Sequence, residues 1–232
     1  MRRQQAFRTA LLVLLGGLLL AGSVFAYIPP PGWMLDKLAH KRGQTGLRRI
    51  KVQLKCADGD QSLYIKAGGR VRREFADGAV ELCLSGKCYR KEKGEQKYKL
   101  MPAWTYLRYY YFAEHAASGQ RYLALMRGWG VDTKVDTLAR LASRVAVVLG
   151  AKDWERDRPQ FWMDKDLYLP LRFMVRDGES LVQIDWLDWG SRASGDWFPG
   201  RMKVFRDGQE VESCETLDVD VKQDLPDTLF KK

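Results

Sequence analysis

From Leu47 onward, apolar and polar positions alternate with a period of two. Ile50, Val52, Leu54 and Cys56 interleave with Arg49, Lys51, Gln53 and Lys55, which predicts a strand buried on one face. Leu63 and Ile65 repeat the pattern against Ser62 and Lys66, and Val71 and Phe75 flank Arg72 and Glu74. Val80, Leu82 and Leu84 alternate with Ala79, Glu81 and Cys83. Asp58-Gly59, Gly68-Gly69, Asp77-Gly78, Ser85-Gly86 and Lys93-Gly94 separate these runs, and glycine there supplies the positive φ of tight hairpins. The expectation is an antiparallel meander.

The period changes twice. Tyr27 to Gly32 is proline-rich and predicts an extended leader. Trp33 to Lys41 then predicts a short amphipathic helix ended by Gly43. Residues 103–127 break the strand pattern more strongly. Trp104, Leu107, Tyr110 and Tyr111 recur at three- and four-residue spacing, Leu123 and Met126 continue it, and almost no polar face remains. Such a helix is buried on several sides or covers a cavity. Strands return at Val145–Leu149, Phe161–Asp164, Leu169–Arg176, Leu181–Trp189, Arg201–Arg206 and Glu210–Val221. The tail then carries Leu225, Leu229 and Phe230, which are suited to dock.

The first 26 residues have the signature of a cleaved secretory signal: Arg2, Arg3 and Arg8, an apolar run from Ala10 to Leu20, and Val24-Phe25-Ala26. The run is short of the roughly 20 continuous apolar residues a membrane span needs. Leu20-Ala21-Gly22-Ser23 resembles a lipobox but ends in Ser, so no lipid attachment is expected and the mature protein should be soluble. This predicts a signal over 1–26, one binding domain over 27–232, and a periplasmic location. The chain carries 39 Lys+Arg against 29 Asp+Glu. Losing three arginines with the signal leaves 36 against 29, a balance of +7. That suits anionic envelope partners rather than nucleic acid, and equally a plain solvated basic surface.

Cys56, Cys83, Cys88 and Cys214 make an even count that favours disulfides over a metal. A Ser85-Gly86 turn sets Cys83 opposite Cys88 in a non-hydrogen-bonded pair, within bridging reach, and puts Leu82 and Tyr89 on the other, buried face. Cys56 and Cys214 remain by elimination, although their faces do not obviously match. Catalytic signatures are nearly absent: two histidines, and no nucleophile elbow, phosphate loop or helical metal motif. Asp164 and Asp166 would share a strand face and Asp185 and Asp188 lie close in sequence, but a polar turn explains the first pair as well. No cofactor and no metal are expected. Trp186, Trp189 and Trp197, with Trp154 and Trp162 upstream, fit either core filling or an apolar or sugar-stacking pocket.

The order of elements resembles the LolA-like superfamily of periplasmic lipoprotein carriers, which includes LolB receptors and RseB-like regulators. Phe161-Trp162-Met163-Asp164-Lys165-Asp166 with Pro170-Leu171-Arg172 looks like that family's strand, acidic turn, proline, strand unit. Val219-Asp220-Val221 with Leu225 to Phe230 is similar to its final strand and aromatic-ended tail. The resemblance implies an α+β, mostly antiparallel fold: a curved, half-open β-barrel closed by helices around a cavity for acyl chains. Trp104, Leu107, Tyr110 and Tyr111 would be the lid; Phe161, Met163, Phe173, Ile184 and Trp186 would belong to the wall. The expected partners are lipid or lipoprotein acyl chains and proteins of the inner or outer membrane. An RseB-like regulator and an envelope polysaccharide binder stand as alternatives. The cysteines and the basic charge depart from the carrier pattern.

Overall fold

A computed structural model describes residues 28–44, 49–67, 69–84, 87–101, 118–152 and 154–232. The expected signal segment, the Ser85-Gly86 turn and the lid candidates Trp104, Leu107, Tyr110 and Tyr111 lie outside the described residues.

Helix α1 (Pro31–Gln44) leads into strands β1 (Arg49–Cys56), β2 (Gly59–Lys66), β3 (Arg70–Phe75), β4 (Val80–Leu84), β5 (Lys87–Lys91) and β6 (Lys99–Leu100). Helix α2 (Gly119–Gly128) precedes β7 (Asp136–Leu141), β8 (Arg144–Leu149), β9 (Gln160–Asp164), β10 (Pro170–Asp177), β11 (Ser180–Leu187), β12 (Arg201–Arg206) and β13 (Gln209–Asp220). A 3-10 turn, Asp227–Phe230, ends the chain. The 13 strands form one antiparallel sheet, ordered β6-β5-β4-β3-β2-β1-β13-β12-β11-β10-β9-β8-β7. Two meanders are thus sewn together where β1 meets β13, and the sheet is left open at β6 and β7.

Laid flat, 13 strands would span about 58 Å at the usual strand spacing, whereas a 14-residue helix is about 21 Å long. Yet one hydrophobic cluster joins Cys83 and Cys88 on β4 and β5, Met34, Leu35 and Leu38 on α1, Tyr122 and Met126 on α2, and Val147 on β8. The sheet therefore curls around the helices, the half-open barrel that the family resemblance implied.

Helix α1 starts two residues before the expected Trp33, at Pro31, which fits a first turn because no N–H is needed there. It also runs through Gly43 to Gln44 instead of stopping. Helix α2 is capped by Ser118, whose hydroxyl accepts the Arg121 N–H at 3.2 Å. Gly119 sits where a Cβ would lie 2.6 Å from the Asp36 nitrogen, so only glycine lets the helices approach this closely. Its own N–H donates to Asp36 Oδ1 at 2.7 Å.

Strand β7 is a correction to the sequence pattern, which placed no strand there. It is an edge strand of half-buried residues, so its Leu138 and Leu141 show no clean alternation. Strand β4 is buried on both faces, with Leu82 on the face opposite the cysteines as expected. Val71 pairs with Cys83 on the inner face, while Leu82 pairs with Tyr89 on the outer one. The outer side is covered by the tail: Leu225 and Phe230 are buried beside Leu82, Tyr64 and Tyr98. Asp227 pairs with both Lys66 (2.6 Å) and Arg70 (2.7 Å), and Arg72 donates to the Leu229 carbonyl at 3.1 Å.

Candidate functional site

The inner wall is built from the alternating positions of β8 to β12. Phe161, Met163, Phe173, Ile184 and Trp186 all point inward and none is more than 1% exposed. Phe173 is paired with Phe161 on one side and Ile184 on the other. Its ring meets Phe161 at 6.2 Å and Trp129, just after α2, at 5.4 Å. These five residues are therefore brought together, closely packed. Trp186, Met202, Cys214 and Cys56 continue the same face in one cross-strand row.

Helix α1 closes one end of this trough. Arg42, 2% exposed, donates to the carbonyls of Asp196 (2.7 Å) and Trp197 (2.8 Å) and lies 5.3 Å from the Trp189 ring centre. Burial lowers its pKa to about 10, against the pull of Tyr122 and Asp196. Trp33, 46% exposed, meets the edge of Tyr168.

Four of the five tryptophans belong to or pack against the main hydrophobic cluster, but they do not all share one face. Trp186 and Trp189 are buried, and Trp197 is partly buried. Trp162 turns to the outer face, 5.0 Å from Arg172, and Trp154 is 78% exposed. The carboxylates do not converge. Asp164 accepts the N–H groups of Asp166 and Leu167 at 2.9 and 2.7 Å and pairs with Arg144, which is the polar turn. Asp185 grips Arg172 on the outer face at 2.6 and 2.7 Å. Asp188 pairs with Arg201 beside a recess of about 390 Å³ lined by Ser191, Arg192, Glu215 and Thr216.

Both disulfides are present. Cys83–Cys88 joins directly opposed residues, with Leu84 opposite Lys87 as the two-residue turn requires. Cys56–Cys214 joins β1 to β13, with a Cα separation of 4.1 Å. Their faces match because β13 skips one residue. Val219 pairs with Val52 and Asp218 with Gln53, but Leu54 pairs with Thr216, leaving Leu217 as a bulge. Glu212 Oε1 lies 3.3 Å from the Cys214 sulfur. Cys56, Glu212 and Cys214 are close enough to hold an ion, yet both sulfurs are committed to the disulfide and neither is a free thiolate ligand.

Strand periodicity did not single out a polar cluster on the inner face. Arg73, 3% exposed, donates from Nε to Gln61 Oε1 at 2.6 Å and from Nη2 to Glu212 Oε1 at 2.7 Å. That contact crosses from β3 over β2 and β1 to β13. Glu81 accepts from Arg90 at 2.9 Å, and Gln61 donates to Asp58 at 2.7 Å. The Phe75 ring sits between Arg73 (4.5 Å) and Arg90 (4.8 Å). Burial raises the Glu212 pKa to about 7; the Arg73 ion pair opposes this, and Asp58 adds to it. The signal for Arg73 was there to use, since it stands at the same parity as Val71 and Phe75.

No protein-family model matches this sequence, and no curated protein resembles it in sequence. Several solved structures share its fold. A DUF1329 family protein from Desulfovibrio piger superposes with a TM-score of 0.54 at 16% identity, over 87% of this chain and 97% of that one. A domain assigned to outer-membrane lipoprotein sorting, from Vibrio parahaemolyticus, gives 0.52 at 12% identity, over 84% and 94%. A LolA superfamily protein from Nitrosomonas europaea gives 0.50 at 11%, over 88% and 99%. The chain thus has the LolA-like fold.

Proposed function

We propose that this chain is an exported, non-enzymatic binding protein that holds the acyl chains of a lipid or lipoprotein in its trough and carries them toward the outer membrane. Residues 27–232 would be the binding domain left after cleavage of a signal over 1–26, in the periplasm and without a lipid anchor. The observation that carries the reading is the inner wall. Side chains from both meanders form one apolar lining inside an open, curled sheet; it is closely packed, so a flexible hydrocarbon enters by displacing side chains such as Trp129 from Phe173. Each methylene buried there is worth about 0.8 kcal/mol. Two disulfides in the described structure support an oxidising compartment. The fold likeness to a lipoprotein-sorting domain and to a LolA superfamily protein supports the same class.

The test is native mass spectrometry of protein purified gently from the periplasm. Co-purified lipid or acylated peptide, released when the protein unfolds, is the expected result. A ligand-free protein that also fails to bind added lipid would overturn the reading. Co-purification with an unlipidated membrane-protein segment would favour a regulatory role instead.

A further inference from the structure

The inner face is mostly apolar, and the polar cluster around Arg73 stands out from it. Arg73 and Arg90 meet Glu81 and Glu212 on the inner face, and two exposed carboxyls flank them: Asp58, bonded to Gln61, and Glu92, paired with Arg90 at 2.7 Å. Two guanidiniums against four carboxyls give a negative local balance in a chain whose formal charge is +10. Only Arg73, Glu81 and most of Glu212 are buried, and burying those three against an apolar wall costs desolvation energy that packed hydrophobic residues would not incur. One atom is left over. Glu81 is 5% exposed, and its Oε2 accepts no hydrogen bond among the described residues, with Arg73 Nη1 4.0 Å away. A buried carboxylate oxygen without a donor is expensive, and a ligand that donates to it would recover that cost.

We propose that this cluster is the head-group end of the trough, and that it selects amphiphiles whose head is an ammonium donating to Glu81 over those whose head is a carboxylate. The proposal rests on the acyl-binding reading and adds an orientation to it. The head sits among Glu81, Arg73 and Glu212, and the chains run toward Phe173 and Trp186. Overall charge works against this preference: a balance of +10, or +7 without residues 1–26, attracts dodecanoate more than dodecylammonium at long range. A measured preference for the cation must then come from the local site.

The experiment is calorimetric titration of the purified protein with dodecylammonium and with dodecanoate, each below its micelle concentration, at neutral pH. Saturable dodecylammonium binding about tenfold tighter than dodecanoate is expected, the size of one charged hydrogen bond. Glu81→Gln should bring the two within about twofold by weakening the ammonium arm alone. Equal binding of the two probes by the unmodified protein overturns the head-group site and leaves the trough reading standing. So does a preference that survives Glu81→Gln. Binding of neither probe removes the trough reading as well. If Glu81→Gln does not fold by circular dichroism, Glu212→Gln carries the same expectation and is read the same way.

Discussion

The two meanders solve the same packing problem with different means. The β7 to β12 side is filled from inside. Trp129 packs on Phe173, Arg42 fixes the loop at Trp189, and its strong Arg172–Asp185 pair is kept on the outer face. The β1 to β6 side is tied instead. Both disulfides touch it, the tail straps its outer face, and its strongest ion pairs cross the inner one. Among the described residues, this side carries both disulfides and the tail strap in addition to its share of the common hydrophobic cluster. The difference predicts that the first side answers to changes in volume and the second to changes in crosslinks and charge.

The sharpest way to break the comparison is to remove the disulfides one at a time. The Cys56–Cys214 bridge closes 158 residues and Cys83–Cys88 only 5. Chain-entropy arithmetic then assigns about 5 kcal/mol to the first and about 2 kcal/mol to the second. Denaturant midpoints of the two double-alanine variants should differ accordingly. Equal losses would mean that the bridges act through local packing and not by holding the meanders together.

On the filled side, Phe173→Ala should cost about 4 kcal/mol, because a fully buried aromatic leaves a cavity its neighbours cannot close. Equilibrium unfolding measures it. A loss below about 1 kcal/mol would show that the wall is loosely packed there, and the contrast with the tied side would disappear.

The smaller effect is pH-dependent. Glu212 has a folded pKa of about 7, above the ordinary 4.5, so the folded state holds its proton more tightly than the unfolded state does. Stability from this group is full below pH 4.5 and is lost as pH rises toward 7, by up to about 3 kcal/mol. Glu212→Gln should flatten that fall. An unchanged stability profile between pH 4.5 and 7 would place the carboxyl in water rather than in the buried cluster.

Much of this architecture could be read from alternation alone. Strand β12 lies at Arg201–Arg206 as expected, β13 is displaced by a single residue, and the Cys83–Cys88 register follows from one turn. The docking of Leu225 and Phe230 was legible as well. Alternation failed wherever a strand is covered on both faces or steps out of phase. Leu82 lies on the buried face expected for it, but alternation does not show that the tail covers that face while Cys83 is buried on the other. Arg73 and Glu81 were passed over because charge in a strand ordinarily marks the solvent side, and only the register shows them turned inward. The tryptophans suggested one pocket because they are near in sequence. Neighbouring residues of a strand face opposite ways, so Trp162 stands on the other face from Phe161 and Met163, half-buried, and Trp154 is exposed.

The skipped residue in β13 separates two kinds of tolerance. Leu217 is 48% exposed, so almost any polar side chain could replace it at little cost in burial. Its presence, as distinct from its identity, keeps Thr216, Cys214 and Glu212 aimed inward while Val219 still faces Val52. A chain shortened by that one position would either turn the thiol of residue 214 away from Cys56 or pull the end of the strand out of register. At this site, evolution is free in the letter and bound in the count, and in a set of relatives the position would look variable in type but never gapped.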